Sequence, residues 1–66
     1  MGLNWLRWEV VRKLRRAEYG YAEHRLKKLL AYMPEEFLNN VVHSFNECDH
    51  TRVADLIEHR WPEESK

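Results

Sequence analysis

Apolar residues recur along this chain at intervals of three and four, and no stretch shows the two-residue alternation of a half-buried strand. That periodicity restricts the chain to helices. Leu3, Leu6, Val10, Leu14, Ala17 and Tyr21 form one stripe about 80° wide at about 100° per residue, the kind of seam that packs in a helical bundle. Beyond Gly20 the pattern resumes one residue out of phase as Ala22, Leu26, Leu29, Leu30 and Met33, so the helix ends or bends there, with Gly20 suited to the first position past a helix. Pro34 closes the second segment, and Pro34-Glu35-Glu36 opens a third, with proline in the first turn and carboxylates near the positive end of the helix. Phe37, Leu38, Val41, Val42, Phe45 and Cys48 cover an arc of that helix. Asp49 or Thr51 then caps a last one carrying Val53, Ala54, Leu56, Ile57 and Trp61 before Pro62. Asn4 is placed to cap the first helix, flanked by Leu3 and Trp8 as a hydrophobic staple. The expected architecture is all-α: one domain over 1–66 with helices near 4–19, 22–33, 35–47 and 51–61 and a frayed tail at 62–66.

Sixty-six residues make a thin core, because a domain of this size buries only about 60% of the surface its unfolded chain exposes. Cys48 is the single cysteine, so no disulfide within the chain supports the fold. Oligomerisation is the expected support, and the reading is a homodimeric three- to four-helix bundle. The lone cysteine, the absence of a signal-type apolar segment and the short apolar runs suggest a cytoplasmic protein without a transmembrane segment. Met1-Gly2 would permit myristoylation, but Leu6 stands where a hydroxyl residue is expected.

The net charge of zero conceals a division. Residues 1–33 carry eight Lys/Arg and three Glu, whereas residues 34–66 carry three Lys/Arg and eight Asp/Glu. Two uses of this division are open: the halves neutralise one another internally, or one of them faces a partner. Apolar anchors would have to supply most of the affinity for a partner. Trp5 and Trp8 lie at about 200° and 140° from Leu3 on the first helix, opposite its Leu/Val stripe. Arg12, Arg15 and Arg16 surround them, and Trp8 and Arg12 have the i,i+4 spacing at which a guanidinium stacks on an indole. Trp and Arg are the residues most enriched at binding hot spots, so Trp5, Trp8, Arg12, Arg15 and Arg16 form the candidate partner-binding surface. The acidic third and fourth helices are the second choice.

These features indicate a small regulatory adaptor or inhibitor that binds another protein, itself, or both. An alternative is a nucleic-acid-associated regulator in which Arg7, Arg12, Lys13, Arg15, Arg16, Arg25, Lys27 and Lys28 meet phosphates. Against it stand the acidic half and a second helix that offers mainly Lys and Leu where a recognition helix presents polar groups to base edges. A membrane-surface helix is disfavoured because the apolar residues of the first helix are divided between two sides. His24, His43, Cys48, His50 and His59 follow no common zinc spacing, and a Cys48–His50 pair has no group at recognisable spacing to orient a nucleophile. Neither an enzyme nor a cofactor is expected.

The run Arg12-Lys13-Leu14-Arg15-Arg16 and the later run Asp49-His50-Thr51-Arg52-Val53-Ala54-Asp55-Leu56 together resemble the Hha/YmoA family of small bacterial regulators. The family's later segment aligns here only with an inserted residue at Thr51, and its C-terminal aromatic segment has no counterpart. The resemblance implies association with nucleoid proteins of the H-NS type and carries over no individual functional residue.

Overall fold

The first turn of the fold is made by an alanine, not by the nearby glycine. In the computed structural model, which describes residues 3–61, α1 spans Leu3–Arg15 and α2 spans Tyr19–Leu30. Between them Ala17 adopts φ 63°. The Glu18 N–H donates to the Lys13 carbonyl at 2.9 Å and the Ala17 N–H to the Leu14 carbonyl at 3.1 Å, the paired bonds of a Schellman termination. Gly20 therefore neither ends nor bends a helix; it sits in the first turn of α2, where an added Cβ would meet nothing within 4 Å. The helices expected at 4–19 and 22–33 are each displaced by up to three or four residues at their shared boundary, because left-handed Ala17 terminates α1 early and lets α2 begin early. Asn4 is not a cap, since α1 already includes Leu3.

The second half repeats the device. Helix α3 spans Glu35–Asn46 and ends at Cys48, φ 61°, with the Asp49 N–H donating to the Ser44 carbonyl at 2.9 Å and the Cys48 N–H to the Phe45 carbonyl at 3.0 Å. Cys48 is consequently exposed at the turn rather than part of the core expected of it. Helix α4, His50–Asp55, is capped by Asp49, whose Oδ1 accepts from the Arg52 N–H at 3.2 Å. The two turns meet: Tyr19 and His50, each the first residue of its helix, stack at 3.8 Å with an interplanar angle of 15°.

The final helix expected at 51–61 begins at His50 and does not remain α-helical. From Leu56 to Arg60 it continues as a π-helix, which ends at Trp61 in extended conformation ahead of Pro62. The wider turn brings Trp61 against Phe37, 5.5 Å between ring centroids, and beneath the Arg7 guanidinium at 5.0 Å. Arg7 also donates to the Ile57 carbonyl at 3.1 Å, satisfying a π-helical backbone group from α1. The tail 62–66, expected to be frayed, lies outside the described residues.

Helix α1 is the central element, packed against α2 on one side and against α4 and the π-helical segment on the other, while α3 packs on α4. The core is drawn from all of them: Val10, Val11 and Leu14; Ala22, Leu26 and Leu29; Met33; Phe37 and Val41; Val53, Ala54, Leu56 and Ile57. Two members of the predicted α1 stripe, Ala17 and Tyr21, are exposed because the stripe continues past the point where the helix ends. Leu3 is 36% exposed at the other end. Val11, left out of the stripe, is buried instead, at the side facing α4. All the described regular structure is helical. The radius of gyration, 10.8 Å, is what a compactly folded chain of this length has, about 2.2·N^0.38 Å.

Candidate functional site

On α1, the buried residues Leu14 and Val11 lie at about 20° and 80° from Leu3, and Trp8 and Arg15 follow at about 140° and 120°. Those two therefore flank the edge where α1 meets the π-helical segment. Trp8, Val11, Arg12, Arg15 and Arg16, spaced i, i+3, i+4, i+7 and i+8, line a shallow groove of about 430 Å³ whose opposite wall is Glu58. Trp8 is 52% exposed, which leaves half of a large apolar side chain available in a groove of mostly basic character.

The three arginines differ in what they already hold. Arg15 Nη2 donates to Glu58 Oε1 at 2.6 Å and to Asp55 Oδ1 at 3.1 Å. Its pKa is raised above the usual guanidinium value, first by the hydrogen bond to Glu58 and then by the one to Asp55. This bridge joins the basic and acidic halves, so part of the charge division is internal complementarity. Arg16 reaches Glu18 only at 4.0 Å, with its side chain 63% exposed. Arg12 is exposed and has no ion-pair partner among the described residues.

Trp5, 57% exposed, belongs elsewhere. At about 200° it leans to the α2 side, where the Arg25 guanidinium stands 5.9 Å from its ring. Arg25 also donates to the Tyr21 hydroxyl at 3.0 Å, the main cause of its raised pKa, and Tyr21 in turn donates to Glu9 at 3.2 Å. Lys13 stands 4.7 Å over the Tyr21 ring and pairs with Glu18 at 3.2 Å. The α1–α2 contact thus uses up cations that composition alone counts as available. Stacking of a guanidinium on tryptophan occurs at Trp5 with Arg25; no cation lies over the Trp8 ring among the described residues, so the expected Trp8–Arg12 stack is absent.

Of the five candidate residues the fold gathers Trp8, Arg12, Arg15 and Arg16 and sets Trp5 apart. It adds Val11, Asp55 and Glu58. Val11 was legible from its i+3 spacing to Trp8, whereas no local signal marks Asp55 or Glu58, which arrive only because α4 packs beside α1. Among the described residues no three His, Cys, Asp or Glu side chains are grouped to hold a metal, and no helix is long and apolar enough to cross a membrane. No family model, curated protein or solved structure matches this chain. The likeness of 12–16 and 49–56 to nucleoid-associated regulators therefore rests on those two segments alone.

Proposed function

We propose that this chain is a small regulatory adaptor or inhibitor that holds an acidic, apolar-anchored segment of a partner protein in the α1 groove, acting by occlusion or recruitment. The observation that carries the reading is Trp8, half exposed beside the unpaired Arg12 and the loosely held Arg16. Trp and Arg in this combination supply the apolar area and the bidentate carboxylate recognition of a hot spot. Arg15 offsets only part of the charge of Asp55 and Glu58, so the acidic groups of the segment are directed to Arg12 and Arg16, away from that wall. A cytoplasmic location accords with the single thiol.

The test is retention of the partner by Trp8→Ala and Arg12→Glu, with helicity checked by circular dichroism. Both positions are exposed, so each variant is expected to keep the fold and to lose the partner. Retention by both variants, still folded, refutes the proposal. The rival reading, a nucleic-acid-associated regulator, draws on the same guanidinium groups and predicts steeply salt-dependent retention on DNA. The adaptor reading predicts no such retention.

The homodimer expected from chain length is assigned to a different side. Leu3, Leu6, Lys28 and Tyr32 line a groove between α1 and α2, with Tyr32 63% exposed. Sedimentation equilibrium should show a dimer that Tyr32→Glu converts to monomer, leaving the Trp8 groove unchanged; a monomeric parent chain removes the dimer from the proposal.

A further inference from the structure

Resting on the docking reading above, we infer that the partner segment is bipartite, with an acidic cluster on each side of an uncharged centre and an apolar anchor beside one cluster, and that it spans two grooves. The second groove lies on the outer face of α4 and the π-helical segment. Its volume is about 270 Å³, and Arg52, Asp55, Leu56, His59 and Arg60 line it. Arg52 and Arg60 are the only Lys or Arg residues of the acidic half within 34–61, and both are exposed without an ion-pair partner among the described residues. The fold thus sets the two exceptions to the acidic character of this half on one groove.

The two grooves share a wall. Asp55 lines the second groove and accepts from Arg15, which lines the first; Glu58 lines the first and accepts from the same guanidinium. The surface therefore reads, from α1 outward, as Trp8 with Arg12 and Arg16, then the Arg15–Asp55–Glu58 bridge, then Arg52, His59 and Arg60. Cations stand at both ends, and carboxylates with their own counter-ion stand between.

This pattern selects among acidic ligands. A nucleic-acid strand carries one phosphate per nucleotide and would place negative charge over Asp55 and Glu58 as it crossed from one end to the other. A protein segment can leave its centre uncharged, seat an apolar side chain against Trp8, and direct Asp or Glu clusters to Arg12–Arg16 and to Arg52–Arg60. The π-helical turn beneath the second groove is a departure from α-helix of the kind found at functional sites, and it presents His59 and Arg60 beside Arg52.

The test is selection of a displayed library of random sixteen-residue segments, about 24 Å as helix, on the full-length chain. Calorimetry then measures the enriched peptides and a sixteen-nucleotide oligothymidylate against the parent chain, R52E/R60E and W8A/R12E. We expect enriched peptides with two acidic clusters around an uncharged centre and an apolar residue beside one cluster, weakened about tenfold or more by R52E/R60E, abolished by W8A/R12E, and bound more tightly than the oligonucleotide. Enriched peptides with one acidic cluster, or an unchanged affinity in R52E/R60E, overturn the bipartite inference and leave the single-groove reading standing. Unchanged affinity in W8A/R12E, or no enrichment at all, overturns both. Tighter binding of the oligonucleotide, lost in R52E/R60E, overturns the choice of a protein ligand.

Discussion

Three backbone positions carry residue types that local chemistry would exchange. Ala17 and Cys48 hold left-handed conformations that favour glycine, while Gly20 occupies a helical turn with open space at its missing Cβ. A non-glycine residue in the left-handed region is strained by about 1–2 kcal/mol, partly offset in a glycine variant by the larger entropy of its unfolded chain. Ala17→Gly is therefore expected to raise stability by about 0.5–1 kcal/mol. Gly20→Ala should raise it by about 0.4–1 kcal/mol for the opposite reason, a less flexible unfolded chain. Urea denaturation checks both, and a loss of stability in either variant contradicts the account of the α1–α2 turn. The Gly20 expectation failed at this scale because a glycine near a phase break is a sound local signal, and only the tertiary packing of α2 shows that the break falls three residues earlier. Tyr19 illustrates the same limit: its partner His50 belongs to the other hairpin, and nothing in either local sequence announces the stack.

Among the elements, α1 has the most demanding position, because it must bury Val10, Val11 and Leu14 between α2 and the α4–π segment while presenting Trp8 and Arg12. Ile57 is fully buried at the heart of the π-helical segment, and its carbonyl is the one held by Arg7. Truncation there removes packing contacts and leaves a cavity that a short irregular helix is poorly able to close. Ile57→Ala should cost about 2–5 kcal/mol. A domain of this size is stable by only about 3–10 kcal/mol at 0.05–0.15 kcal/mol per residue, so the variant is expected to be partly unfolded at room temperature by circular dichroism. A loss well under 1 kcal/mol would show that the π-helical segment is loosely docked. Four helices, their order and most core positions were legible from the spacing of apolar residues. The π-helical turn was not, since the contacts that accompany it, Trp61 on Phe37 and Arg7 on the Ile57 carbonyl, are both long-range.

For the whole molecule, the division of charge becomes partly a bond between halves and partly a surface. Arg15 supplies two of the ion pairs that cross between them. Its raised pKa means that this contribution to folding is present below the usual guanidinium value and is lost only as pH rises through the still higher folded one. Arg15→Ala should accordingly lower the melting temperature across the whole neutral range, with a deficit that narrows as sodium chloride is raised from 0.05 to about 1 M and the exposed pairs are screened. A deficit indifferent to salt would assign Arg15 a packing role instead. The candidate site shows the same boundary between local and global information. Trp8, Arg12, Arg15 and Arg16 share a helix face by their spacing alone, so their grouping could be read directly. The separation of Trp5 from Trp8, the bridge to Asp55 and Glu58, and the second groove at Arg52 and Arg60 could not, because each depends on which helix lies on which side of α1. Sequence by itself determined an all-helical chain, the punctuation at Pro34 and Asp49, and a basic, tryptophan-bearing face on the first helix, since periodicity and capping act within a few residues. Tertiary structure decided which of those cations stay available and which are tied down, since an ion pair requires two side chains to meet in space and the chain order places Arg15 and Asp55 forty residues apart.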